Sequence, residues 1–198
     1  MGDSKTTRAA LAAALKRLVI ENSFDKVSVH EICALCGMNR KSFYYHFRDK
    51  YDLVVWIFEN EFLKKASEDS PENIWGSVSA LCEYFYNNKP FYKKILQIDG
   101  QNCFSEYFHE LCKKAFVKKM RARLEGITVT YQNVKLYAGF YVYSIYCWLT
   151  GPDTRTDKEF VRDLKNSVLF GAELANMFSD RPGRQITDEE KKEFSIVR

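Results

Sequence analysis

The sequence lacks most of what would mark a membrane protein, a secreted protein or an enzyme. No run approaches the roughly 18 consecutive apolar residues that a membrane-spanning helix needs, so no span is expected. The N-terminal residues carry neither the apolar stretch nor the small-residue cleavage pattern of a secretory signal. No glycine-rich phosphate loop, no Ser-His-Asp order and no paired-carboxylate pattern stands out, so no catalytic residues are expected. "HEIC" at 30–33 lacks the second histidine of a zinc-protease helix. His30, Cys33 and Cys36 fall at three-residue steps with no fourth ligand near them, so neither a metal nor a cofactor is expected. Charge of one sign is also scarce. The surplus is only +4, too small to identify a nucleic-acid partner by itself. There is no internal repeat, no low-complexity segment and no stretch of strand-like alternation.

What is present is a chain of 198 residues, 46% hydrophobic and 15% aromatic, ample for a filled core and far from a disordered composition. The six cysteines are unevenly spaced and mostly set in apolar helical patterns. That reads as reduced core residues in a cytoplasmic protein. The charge is uneven as well: residues 1–50 hold nine Lys/Arg against five Asp/Glu. The first quarter therefore carries the whole surplus, a basic module on a neutral body.

Apolar residues recur at three and four along nearly the whole chain, and the expected fold class is all-α. A first helix spans about residues 5–22, with Leu11, Leu15, Leu18 and Val19 on one face. Ser28 and Glu31 form a capping box for a short second helix, which Gly37 ends. Asn39 caps a third helix that turns Phe43 and Phe47 inward, and Asp49 caps a longer fourth through Leu53, Trp56, Ile57 and Leu63. Ser70 and Pro71 open a fifth helix that "NNKP" closes. A turn falls at 98–102, and long helices follow over about 103–124 and 130–150. The second of these has two apolar faces, Leu136/Phe140/Tyr143/Cys147 and Tyr137/Tyr141/Ile145/Trp148. Thr156 and Glu159 make another capping box, for a helix to about Phe178. Residues 181–198 form a polar tail.

The segment that carries chemistry is Ser28 to Phe47. Two short helices joined by a tight turn at "CGM" fit a helix-turn-helix, whose second helix lies in the DNA major groove. Arg40 and Lys41 stand in the first turn of that helix, where the positive end of the macrodipole makes cations unfavourable; a polyanion outside the helix accounts for them. Ser42 is small enough for close backbone approach. Tyr44, Tyr45 and His46 offer donors to phosphate oxygens, Lys50 adds a charge at the next helix start, and Ser28 presents a helix N-terminus. With Asn39 these are the expected DNA-binding residues. The competing reading is a helical protein-interaction module with a basic surface and no sequence-specific DNA binding. The basic run "KKAFVKKMRAR" at 113–123 reads as the solvated face of an amphipathic helix.

"SVHEICALCGMNRKSFYYHFRDKYDL", together with the helix before it, resembles the N-terminal domain of TetR/AcrR-type transcriptional regulators. The shared features are the Ser/Thr cap, the Ile-Cys pair (usually Ile-Ala), the Gly-hydrophobic-polar turn, the Phe-Tyr-x-x-Phe run and Lys-x-x-Leu, over about residues 5–60. Lys41 departs from the family, which often has a small residue there. Farther on, "FYKKILQIDGQNCFSEYF" at 91–108 and the aromatic helix ending in "WLTGP" are similar to the subgroup of dihydroxyacetone-kinase-operon activators. The resemblance implies a three-helix head over residues 1–50 and a larger helical body over 51–180 that dimerises and senses an effector, either a small molecule or one carried by a partner protein. Phe104, Phe108, Tyr137, Tyr141 and Trp148 stand at the helical spacing of core residues, and they equally suit the lining of an effector pocket between helices. The last two long helices are the expected homodimer surface, with Leu164, Val168, Gly171, Ala172, Ala175 and Phe178 on the final one. The paired heads would then read double-stranded DNA at a near-palindromic operator.

Overall fold

The computed structural model describes residues 4–68, 74–98, 103–123 and 131–177. Ser70, Pro71, the 98–102 turn beyond Ile98, Gly126, Phe178 and the polar tail lie outside the described residues. Every regular element described is helical.

Residues 1–153 form one compact unit. It opens with α1 (Ser4–Glu21), whose Leu11, Leu15 and Val19 are fully buried. A single 3-10 turn, Phe24–Lys26, leads to α2 (Val29–Leu35). The capping box is complete in both halves: the Glu31 amide donates to Ser28 Oγ at 3.2 Å, and the Ser28 amide donates to Glu31 Oε2 at 2.7 Å. Gly37 ends α2 with φ +66, the left-handed region that a β-carbon disfavours. The Met38 amide reaches back to the Cys33 carbonyl at 2.8 Å and the Gly37 amide to that of Ala34 at 3.2 Å, a Schellman closure that fixes where the chain leaves the helix.

α3 (Arg40–His46) starts under the Asn39 cap and α4 (Lys50–Phe58) under the Asp49 cap. Phe43 and Phe47 point inward as their spacing predicts, into a core with Ile32, Leu53 and Ile57. α4 does not end at Phe58. It passes through one π-helical turn, Glu59–Leu63, into α5 (Lys64–Glu68). α4 packs both on α1 and on a helix of the body.

The body part of this unit comprises α6 (Ile74–Asn87), α7 (Lys89–Leu96), α8 (Phe104–Arg123) and α9 (Tyr131–Thr150). The Asn88-Lys89-Pro90 junction that closes α6 also opens α7, with Pro90 in its first turn, where the missing amide is harmless. The centre is aromatic. Phe58 sits 5.8 Å from Phe85, 5.4 Å from Phe104 and 6.0 Å from Phe108, and all four are at most 2% exposed.

The second unit starts at Thr154. Its helix α10 (Asp157–Met177) opens on the expected Thr156–Glu159 capping box. Arg155 pairs with Asp163 at 2.8 Å, one and a half turns into the helix.

Candidate nucleic-acid interface

α3 is a short helix with two chemically distinct sides. Phe43 is fully buried and stands 5.7 Å from Phe47, which in turn packs edge-on at 5.8 Å against Trp56 of α4. These contacts hold the helix axis in place. The other side is open: Arg40 and Lys41 are exposed, as are Tyr44 at 50% and Tyr45 at 83%. Tyr45 thus keeps most of its ring in solvent on a helix otherwise anchored by aromatics. It is available to a partner.

The exposed side is ordered by its own contacts. The Arg40 guanidinium donates to the Tyr44 hydroxyl at 3.4 Å and lies 5.8 Å from the centre of that ring. This bond, one turn along the helix, raises the Arg40 pKa. Tyr45 and His46 meet edge-on at 4.9 Å. Asn39 Oδ1 accepts from the Ser42 amide at 2.8 Å and from the Ser42 hydroxyl at 3.2 Å, so Asn39 and Ser42 first of all build the helix start. Ser28 is likewise engaged with Glu31, its hydroxyl donating to the carboxylate at 2.7 Å.

Lys50 differs from the expectation of a phosphate contact. Its ammonium group donates to three backbone carbonyls, Phe24 at 2.8 Å, Asp25 at 3.2 Å and Val27 at 2.9 Å. It lies 4.4 Å from the centre of the Phe24 ring. An ammonium has three hydrogens, and all three are committed to the turn between α1 and α2. Burial lowers the Lys50 pKa, as expected of a cation drawn into the fold. Lys50 therefore anchors the entrance to the helix-turn-helix. Arg48, not singled out from the sequence, takes the exposed place at this corner. Its side chain is 87% exposed and pairs with Asp52 at 3.2 Å. The i,i+4 spacing of Arg48 and Asp52 on one helix start was the signal available.

The five aromatics expected to line an effector pocket fall in separate places. Phe104 and Phe108 stack at 6.0 Å inside the filled aromatic centre. Tyr141 lies half-buried between Trp75 at 6.1 Å and Phe116 at 5.5 Å. Tyr137 is 63% exposed, and Trp148 is buried against Tyr86 at 6.3 Å. A groove of about 640 Å³ opens elsewhere, between α4 and α8, and none of those five lines it. Its walls include Tyr51, Val55, Glu59, Glu106, Tyr107 and Leu111.

Of the expected dimer residues on α10, Leu164 is buried, Val168 is half-buried and Gly171 is exposed beside Phe170 at 64%. Ala172 and Ala175 fall within the helix. Among the cysteines, Cys33, Cys82 and Cys103 are buried as expected, Cys36 and Cys112 are half-buried, and Cys147 lies on the surface. All six are free thiols.

Two stretches of the chain match known families. Residues 10–56 match the family of bacterial regulatory proteins of the tetR type, and residues 72–169 match a transcriptional regulator C-terminal region of the same family. The chain belongs to the TetR family. That family is one of transcriptional regulators. This TetR-family chain is 33% identical, over 100 residues, to DhaS of Lactococcus lactis, an HTH-type transcriptional activator of the dhaKLM operon. That stretch is 50% of this chain and 54% of the relative, so the match spans about half the relative's length. The fold is shared with the solved structure of a dihydroxyacetone kinase operon activator, DhaS, at a TM-score of 0.61 and 20% identity, covering 85% of this chain and 97% of that one. It is shared also with NalD of Pseudomonas aeruginosa, secondary repressor of the MexAB-OprM multidrug efflux pump. There the TM-score is 0.58 at 17% identity, covering 85% of this chain and 98% of that one. No described helix is long and apolar enough to cross a membrane.

Proposed function

We propose that the TetR-family chain reads double-stranded DNA through the exposed side of α3, as a homodimer on a near-palindromic operator. Residues 1–50 act as the reading head; residues 51–180 dimerise and respond to an effector, in the cytoplasm where the operator is. The observation that carries this is the contrast on α3: Phe43 and Phe47 locked in the core, Arg40, Lys41, Tyr44 and Tyr45 held outward on a seven-residue helix. Rigid aiming of a few donors is what base and phosphate contacts require. Arg40 and Lys41 in the first turn reach base edges or phosphates, and Tyr44, Tyr45 and His46 reach phosphate oxygens.

A second copy of the chain is the occupant that suits the outer face of α9. Leu136, Phe140 and Tyr143 recur at helical spacing and are 75%, 53% and 65% exposed. Covering what each leaves exposed removes apolar surface from water, a gain of about 25 cal/mol per Å² before the costs of association. α10 offers Phe170 and Gly171 for the same purpose. An effector, free or carried by a partner protein, acts by binding one arrangement of the two heads better than another.

The deciding experiment is selection from random duplex DNA by the purified dimer, at low and at physiological salt. Enrichment of an inverted repeat at both is expected. Binding that vanishes at physiological salt with no sequence enriched, from a folded dimer, would instead favour a helical interaction module with a basic surface.

A further inference from the structure

The head is tied to the body twice, along one helix pair. α1 belongs to the head and α7 to the body, and the two pack directly against each other. At one point Lys16 of α1 donates to Asn88 Oδ1, the residue just before α7, at 2.9 Å. The same ammonium holds both oxygens of Glu61, at 3.2 and 2.9 Å. At the other point Lys94 of α7 donates to the carbonyls of Ile20 at 2.9 Å and Asn22 at 3.1 Å. These are carbonyls at the end of α1, the group of acceptors that a helix leaves without partners of its own.

The two ties differ in sense: one donor comes from the head and one from the body. They lie roughly 6–9 Å apart along α1 and about 9 Å apart along α7, at the rise of 1.5 Å per residue. The helices therefore run side by side in the same direction. One tie alone would let α1 pivot on α7. Two ties more than a helical turn apart prevent both sliding and pivoting.

The first tie is also anchored in the body. Glu61 lies in the π turn of the α4–α5 helix and accepts from the Tyr84 hydroxyl of α6 at 3.0 Å. Tyr84 shares a 2.7 Å hydrogen bond with Tyr92 of α7. Asn88 donates in turn to the Tyr84 carbonyl at 2.9 Å. Lys16 thus ends in a polar cluster assembled from α4, α6 and α7 beside the aromatic centre.

We propose that Lys16 and Lys94 are positioning residues for operator recognition: they lace α1 and α7 into one rigid plate, so that the body sets the angle of the head. Neither residue touches DNA. In a dimer each plate carries one head, and the plate angle fixes the separation of half-sites that both heads engage together. This rests on the dimeric reading above.

The test compares wild type with Lys94→Met, with the Lys16→Met/Lys94→Met pair, and with Lys93→Met as a control for charge loss on the same helix. Methionine keeps the apolar stem and removes the donors. Each protein is titrated with a single half-site, with the selected inverted repeat, and with repeats lengthened or shortened by one base pair. One base pair shifts a half-site by about 3.4 Å and roughly 35°. Wild type and Lys93→Met are expected to lose on the order of a hundredfold on the altered repeats, because two-headed binding is lost when geometry forbids it. The tie variants should lose less than about tenfold while binding the single half-site within about threefold of wild type. Tie variants that keep the full spacing penalty overturn the proposal. So does an equal relaxation by Lys93→Met, or a loss confined to half-site binding.

A second readout needs no DNA. Native-state amide exchange should show α1 and α7 opening together in wild type and separately in the tie variants. Separate opening in wild type overturns the plate. Failure to enrich any inverted repeat overturns the dimeric reading instead, and the exchange result then stands by itself.

Discussion

Four cations stand on α3 or just after it, Arg40, Lys41, Arg48 and Lys50, and their surroundings divide them into two kinds. Arg40 and Lys41 are exposed, whereas Lys50 donates all its hydrogens to the Phe24, Asp25 and Val27 carbonyls. Each phosphate neutralised by a side chain contributes about 0.9 to the slope of log affinity against log salt. Arg40→Ala and Lys41→Ala should each lower operator affinity, reduce that slope by about one where a phosphate is lost, and leave the melting temperature unchanged. Lys50→Met should lower both the melting temperature and the affinity with the slope intact. Filter-binding titrations across a salt series, with melts of the same samples, decide it; a reduced slope for Lys50→Met would put that ammonium on a phosphate after all. The outward residues of α3 were legible because two phenylalanines four apart define an inner face and leave the others outside. The role of Lys50 was not. Its acceptors are backbone carbonyls 23 to 26 residues upstream, and a group that every residue carries leaves no mark in a sequence.

Among the elements, helix starts were the most legible feature, because a cap is a local bargain between a side chain and amides two or three residues away. The Ser28–Glu31 and Thr156–Glu159 boxes both form as their sequences predict. The Ser28 hydroxyl and amide hold the Glu31 carboxyl below its ordinary value of 4.5. A carboxyl whose pKa is depressed by folding adds stability above its unfolded value and loses it as the pH falls through the folded one. The melting-temperature gap between wild type and Glu31→Gln should therefore be full at neutral pH and close well below pH 4.5. Thermal melts across that range measure it, and a gap indifferent to pH would mean that the charge contributes nothing to the cap. The π turn at Glu59–Leu63 was not legible. A single π turn accommodates one extra residue without breaking the apolar pattern, so "WIFENEFLKKASE" reads as uninterrupted helix. What the turn does is aim Glu59 at Tyr107 of α8, 2.8 Å away, and Glu61 at Lys16 and Tyr84. Those partners are brought near only by the fold.

For the whole molecule, the sequence offered two apolar faces on α9 without saying which one the chain covers for itself. Ile145 and Trp148 are 3% and 1% exposed, whereas Leu136, Phe140 and Tyr143 remain open. Periodicity reports that a face is apolar; only packing reports who covers it. Whether the body's aromatics fill a core or line a pocket is a question of the same kind. Aromatics at helical spacing fill a core as readily as they line a hole, and here Phe58, Phe85, Phe104 and Phe108 fill it. If a second copy covers the outer face of α9, a carboxylate in the middle of that face must be buried or the dimer must open, and burying an unpaired charge costs more than such an interface returns. Phe140→Glu should thus sediment as a folded monomer, since Phe140 is 53% exposed and contributes little to the chain's own core. That monomer should keep wild-type affinity for a single half-site and lose on the order of a hundredfold on the inverted repeat, the advantage that linked heads confer. A Phe140→Glu protein that remains dimeric would move the two-fold seam off α9.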